Sequence, residues 1–191
     1  MARGKRQIVP DGIFHVTSHA VGREPLFADR IDAASYLDRL ATATARFECE
    51  CLLFCLMGTH FHLVLRPESG DLSRLMQWLN GTYAKQYNKR HYRRGHLFES
   101  RYDSRLIDTD AYLLEAIRYI VLNPIEANIC RRPEDWPYSS YGSLIRERPG
   151  LPFVADDELL LVFDRKRRRA IEQIREFVSG GPERRRLDLA A

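Results

Sequence analysis

Two short patterns in this chain of 191 residues combine side chains able to do chemistry. The first is His60-Phe61-His62. Side chains alternate along an extended strand, so His60 and His62 share a face while Phe61, Leu63 and Leu65 point the other way. Two imidazoles about 7 Å apart, two strand rises of ~3.3 Å, can reach one divalent ion. Two ligands underfill a metal's shell, so the pair alone reads more simply as half-buried histidines hydrogen-bonded at a sheet surface. The second pattern is Tyr119 with Asn123. Residues four apart on a helix are neighbours, and Tyr112, Tyr119 and Asn123 line one edge of an apolar arc formed by Leu113, Ile117, Ile120 and Val121. A helix packed on the sheet could aim a phenol and an amide oxygen at the histidines. Spacing alone leaves open an ordinary helix-edge tyrosine and an asparagine that merely stops the helix.

The elements that must position these groups follow from hydrophobic periodicity. A first strand is expected over 12–18. A helix capped by Asp32 runs to about Phe47, with Ala33, Tyr36, Leu37 and Leu40 at helical spacing. The apolar run Cys51–Met57 reads as a central strand buried on both faces, and Thr59–Arg66 as the next strand. Asp71 caps a helix carrying Leu72, Leu75, Met76, Leu79 and Tyr83, followed by a basic, aromatic loop and a short strand near Tyr102–Ile107. The helix bearing Tyr119 is expected over 108–122, stopped by Asn123-Pro124 because the residue before proline disfavours helical geometry. The succession predicts an α+β fold, a ferredoxin-like split βαβ sandwich with the histidines on the sheet. Residues 1–145 would form that domain. Residues 146–191 would form a small C-terminal helical extension with a basic tail, including helices near 156–163 and 165–178.

Composition is that of a globular protein, with 45% hydrophobic and 29% charged residues. No apolar run approaches the ~20 residues of a membrane span, and the basic start lacks a signal's apolar stretch, so no membrane contact and a cytoplasmic location are expected. The net charge of +4 conceals an asymmetry: residues 1–7, 83–105 and 164–186 carry +3, +5 and +5, leaving −9 on the remainder. Three such clusters point to a polyanionic partner. Cys49, Cys51, Cys55 and Cys130 form no Cys-x-x-Cys pair; the first three, sharing a parity, are expected on one strand face as buried, reduced thiols.

Met57-Gly-Thr-His-Phe-His-Leu-Val-Leu65 resembles the HUH motif of single-tyrosine transposases. Arg93-Arg-Gly-His-Leu-Phe-Glu-Ser-Arg-Tyr102, Arg118-Tyr-Ile-Val-Leu-Asn-Pro124 and Asp135-Trp-Pro-Tyr-Ser-Ser140 resemble motifs of the REP-associated tyrosine transposases, an IS200-like branch. The likeness covers about residues 3–145; Gly58-Thr59 departs from the relatives' turn. It implies that Tyr119 attacks DNA to form a 5′-phosphotyrosine. It also implies that His60, His62 and Asn123 hold a divalent metal, Mg2+ or Mn2+, and that the substrate is a single-stranded DNA hairpin of a palindromic repeat. Arg90, Arg93, Arg94, Arg101, Arg105, Lys5 and Arg6 are the expected DNA contacts, with Tyr92, Phe98 and Tyr102 suited to base stacking. The branch favours a monomer, with a dimer as the other state. Two other functions stay open: a metal-independent endoribonuclease using His60 and His62 as acid and base, and a transposase-derived DNA-binding protein without chemistry.

Overall fold

The computed structural model describes residues 8–146 and 150–180, so Lys5 and Arg6 lie outside the described residues. In chain order the elements are β1 (Ile13–His19), α1 (Arg30–Arg46), β2 (Cys49–Leu56), β3 (His60–Pro67), α2 (Leu72–Arg90), β4 (Asp103–Ile107), α3 (Asp110–Glu126), α4 (Tyr141–Ile145), α5 (Asp156–Leu160) and α6 (Arg167–Ser179). The four strands form one antiparallel sheet in the order β2-β3-β1-β4. This is the ferredoxin-like arrangement expected from the order of elements. Among the described residues, no helix is long and apolar enough to cross a membrane.

The sheet is covered on both faces. Phe14, Val16, Phe61, Leu63 and Leu65 pack with Tyr36 and Leu40 of α1 and with Leu75, Met76, Leu79 and Tyr83 of α2. On the other face, Val64, Cys55 and Ile107 pack with Leu113, Ile117, Ile120 and Val121 of α3, together with Leu144, Leu159, Ile171 and Ile174 of the C-terminal helices. Phe61 and Leu63 thus enter one core while His60 and His62 turn toward α3, as strand alternation requires.

Four expectations are corrected. β2 is not a central strand but an edge strand, although it is buried on both faces as expected, with Phe54 and Leu56 in one core and Leu53 and Cys55 in the other. Its outer edge is covered by backbone bonds from Leu56 N–H to Tyr138 O, Ser140 N–H to Phe54 O and Ala155 N–H to Cys51 O. The Trp136 indole N–H adds a bond to Leu56 O at 2.9 Å. The Asp135–Ser140 segment therefore protects an edge that would otherwise expose unpaired backbone groups. The cysteines do not share a face, because a bulge between Cys51 and Leu53 reverses the alternation. Cys49 and Cys51 join the α1–α2 core and Cys55 the α3 core, as buried free thiols. Asp29, not Asp32, caps α1, accepting from Ile31 N–H and Asp32 N–H. Finally, α3 runs through Pro124 to Glu126. Proline's missing donor is tolerated one turn from the end. There Asn128, at φ 57°, closes the helix with bonds from Asn128 N–H to Ile125 O and from Ile129 N–H to Pro124 O.

Asp32 has a larger task than capping. Only 2% exposed, it accepts from Ala28 N–H, from Arg90 at 2.6 Å and from His91 Nε2 at 2.9 Å. It thereby ties the end of α2, and the basic loop after it, to α1. Asp32→Asn should lower stability by roughly 2 kcal/mol, the scale of hydrogen bonds to a charged group. An unchanged urea midpoint would show that the network does not hold the loop.

Candidate active site

The site begins with the register of β1 against β3. His19 lies opposite His60, Thr17 opposite His62 and His15 opposite Val64. Strand alternation puts His15, Thr17 and His19 on the face of His60 and His62, so four histidines share one surface beneath α3. His15 and His62 are 3% exposed, His60 is half-buried and His19 exposed, so the cluster opens to solvent at its His19–His60 end. The rings of His19 and His60 stack with centroids 5.0 Å apart.

Helix α3 delivers Tyr119 and Asn123 one turn apart to the buried end. The Tyr119 ring meets His62 edge-on at 5.3 Å and His15 at 6.2 Å. Asn123 is buried, and its Nδ2 lies 3.2 Å from His62 Nε2. The same amide bears on the protonation of His60 and of the Tyr119 hydroxyl. Opposite it, His62 Nδ1 lies 3.1 Å from His15 Nε2. Tyr119, His60, His62 and Asn123 are thus gathered in one place, all from one chain. The residue beside the tyrosine secures the helix: the Arg118 guanidinium donates twice to Phe177 O, at 3.1 and 2.7 Å, and lies 3.8 Å over the Phe177 ring of α6.

Burial sets the charge state. It pushes His15 down to about 4, helped by the positive charge of Arg105 across β4. Burial also pushes His60 down to about 4, with His19 adding to the shift and the Asn123 hydrogen bond opposing it. His62 falls well below the ordinary range through burial, then through His15, His60 and His19. At neutral pH these three imidazoles are uncharged. Tyr119 is raised, because desolvation disfavours phenolate more than the Asn123 hydrogen bond favours it. The phenol is therefore no nucleophile unaided.

The donors suit a divalent cation. Neutral imidazoles present lone pairs, and a half-turn of the Asn123 amide exchanges Nδ2 for Oδ1 at the same position. No cluster of three or more His, Cys, Asp or Glu side chains poised for a metal occurs among the described residues. Asn123 Oδ1, beside His60 and His62, is a further oxygen that could join two ring nitrogens in holding such an ion. Two imidazoles and an amide leave positions open for substrate.

The basic loop divides into two sets. Arg90 is engaged by Asp29 and Asp32. Arg93 is engaged by Glu24 and Asn88, with its guanidinium 5.9 Å from the Tyr87 ring. Arg94 and Arg101 are exposed, and Arg105 is half-buried on β4 opposite His15. Of the aromatics expected to stack on bases, Tyr92 is 95% exposed, whereas Tyr102 is 5% exposed and Phe98 packs against Phe61. The latter two are core residues, because the segment before β4 closes over the sheet. His15 and His19 were missed by the sequence reading. Their even spacing marks a shared strand face, but only the β1–β3 register identifies it as the face of His60 and His62.

The family described as transposase, IS200-like, matches residues 9–123. A Haemophilus influenzae protein bearing the name REP-associated tyrosine transposase is 27% identical over 103 residues, which is 48% of this chain and 58% of that protein. The match thus spans less than two thirds of that relative's length. A solved REP-associated tyrosine transposase bound to a REP hairpin has a TM-score of 0.67 at 15% identity, covering 76% of this chain and 86% of that one. At that identity the likeness is one of fold.

The neutral histidines make stability acid-sensitive. The unfolded chain takes up protons near the ordinary value of 6.5, whereas folded His15 and His60 take them up only near 4. Their contribution is complete above 6.5 and is lost as pH falls through about 4. Urea midpoints across this window should fall with pH, and His15→Gln should flatten the dependence by roughly 1 kcal/mol per pH unit. Parallel curves for the two proteins would contradict a neutral, buried His15.

Proposed function

The chain belongs to the IS200-like transposase family, and from that premise we propose that it cuts and rejoins single-stranded DNA at hairpin repeats through Tyr119. One observation carries the reading: the half-buried phenol, the Asn123 amide and the neutral pair His60 and His62 converge in one place. The Tyr119 oxygen attacks a backbone phosphorus and its proton is lost to solvent. The 3′-oxygen departs and takes up a proton, leaving DNA joined to the protein through a 5′-phosphotyrosine. The new ester conserves the broken bond's energy, so a free 3′-hydroxyl can reverse the step. His60, His62 and Asn123 would hold Mg2+ or Mn2+; when bound, the cation supplies Lewis acidity toward a non-bridging phosphate oxygen. Asn123, one turn along α3 from Tyr119, would help orient the phenol, and α3 keeps bulk water from the buried side.

The substrate is a DNA hairpin with a single-stranded flank. Exposed Arg94 and Arg101, with Arg105 beside the site, supply phosphate contacts, and Tyr92 offers a free ring for stacking. Arg90 and Arg93 position this loop through their ion pairs, and any phosphate contact they make competes with Asp29, Asp32 and Glu24. Lys5 and Arg6 remain candidate contacts. We place residues 1–145 as the catalytic domain and 146–191 as a C-terminal helical extension with a basic tail, whose helix α6 buttresses α3 through Phe177. A monomer is favoured over a dimer, as in the branch that the motifs resemble. A cytoplasmic location is part of this proposal.

With Mn2+ and a hairpin labelled 3′ of the cut, label should migrate with denatured protein and map to the peptide containing Tyr119. Tyr119→Phe should abolish the adduct with fold and binding intact, and Tyr112→Phe should retain it. Cleavage with no adduct in any variant would replace this mechanism with a nuclease. His60→Ala and His62→Ala should each abolish cleavage, with the double variant scarcely worse.

Arg94→Ala with Arg101→Ala should weaken hairpin binding and lower the salt dependence by about two in slope, roughly one for each phosphate no longer neutralised. Tyr92→Ala should weaken binding about tenfold, the scale of one stacked base. Affinities and slopes unchanged in filter binding would move the DNA path away from this loop.

A further inference from the structure

His62 lies between two hydrogen-bonding groups, and a neutral imidazole has one donor and one acceptor to offer them. In the observed amide orientation Asn123 Nδ2 faces His62 Nε2 at 3.2 Å, and a lone pair on Nε2 satisfies that donor. His62 Nδ1 must then carry the hydrogen, and its partner is His15 Nε2 at 3.1 Å. The two rings lie 5.3 Å apart at an interplanar angle of 28°. The same assignment is the one a metal requires, with Nε2 free to ligate once the Asn123 amide turns its oxygen inward. The reverse tautomer would oppose two hydrogens at the Asn123 contact and leave Nε2 unable to bind a cation.

We infer that His15 is a positioning residue of this site, accepting the His62 Nδ1 hydrogen and thereby locking the His62 Nε2 lone pair toward Asn123 and the metal position. Its part in metal binding rests on the function proposed above; its effect on the tautomer does not. A carboxylate or carbonyl commonly fills this role behind a ligating histidine. Here the acceptor is another buried imidazole, set by the strand register at the position opposite Val64. Thr59 stands in a comparable relation to His60, its Oγ1 lying 3.3 Å from His60 Nδ1. A hydroxyl can donate or accept, so this contact leaves the His60 tautomer free, and the directed lone pair is that of His62 Nε2. The path from Asn123 through His62 to His15 is continuous and buried, so rotation of the His62 ring would break bonds at both ends.

The test reads the tautomer directly, in metal-free protein with 15N-labelled histidine, by long-range proton–nitrogen correlation. In the unmodified protein His62 should appear as the Nδ1–H form; finding Nε2–H there overturns the inference without any variant. His15→Leu removes the acceptor and should shift His62 toward Nε2–H, whereas His15→Gln, which places an amide oxygen near the former position of Nε2, should restore Nδ1–H. In calorimetric titration with Mn2+, His15→Leu should bind about tenfold more weakly, the lower end of the effect of removing such a partner, and His15→Gln should stay within about twofold of the parent. Unchanged tautomer and unchanged Mn2+ affinity in His15→Leu would reduce His15 to a packing residue. If the unmodified protein binds no Mn2+ while the tautomer shifts as expected, the metal reading fails and the positioning role stands.

Discussion

The pairing of β1 with β3 is the constraint on which the rest of this molecule depends. One residue of slip would send every side chain of β1 to the opposite face. In the observed register Phe14 and Val16 enter the α1–α2 core while His15, Thr17 and His19 line up with the His60–His62 pair. The same alternation satisfies an apolar demand on one side and assembles a polar cluster on the other. The apolar side, with Phe61, Leu63 and Leu65 fully buried, is what makes slippage costly.

Burying polar groups under α3 is tolerated because each finds a partner. Desolvation opposes charged imidazoles, so His15, His60 and His62 stay neutral, and the buried groups connect through His15, His62 and Asn123. Neutrality is also the state in which an imidazole can accept a cation. The tyrosine meets the same environment with the opposite consequence, since burial that prepares the histidines for a metal makes the phenol harder to ionise. In the proposed mechanism, activation of Tyr119 would fall to a positive charge arriving at the histidines.

Elements remote from the chemistry hold this geometry. The Trp136–Ser140 segment covers the open edge of β2, and α6 grips α3 through Arg118, one residue from Tyr119. On the basic loop the local acids decide which cations are available. Asp29, Asp32 and Glu24 engage Arg90 and Arg93 and give the loop its shape, while Arg94 and Arg101 face solvent.

Local rules were enough for much of this. The two-residue period of a strand put His60 and His62 together, the helical step put Tyr119 one turn from Asn123, and the order of elements identified the ferredoxin-like sheet. The IS200-like family was legible as a resemblance carried by four motifs in succession. Other features depended on contacts distant along the chain. An apolar run reads alike whether a strand is central or an edge covered by later residues, so β2 was misplaced. A one-residue bulge breaks parity and leaves little mark in composition, so the cysteines were put on one face. Pro124 ordinarily ends a helix, but packing of α3 and the closure at Asn128 carry it two residues further. His15 and His19 looked like any alternating strand residues until β1 lay beside β3. Periodicity determines which residues share a face, because it follows from the backbone of one element. Which faces meet is decided by burial and pairing across the whole chain, and that is where the site is made.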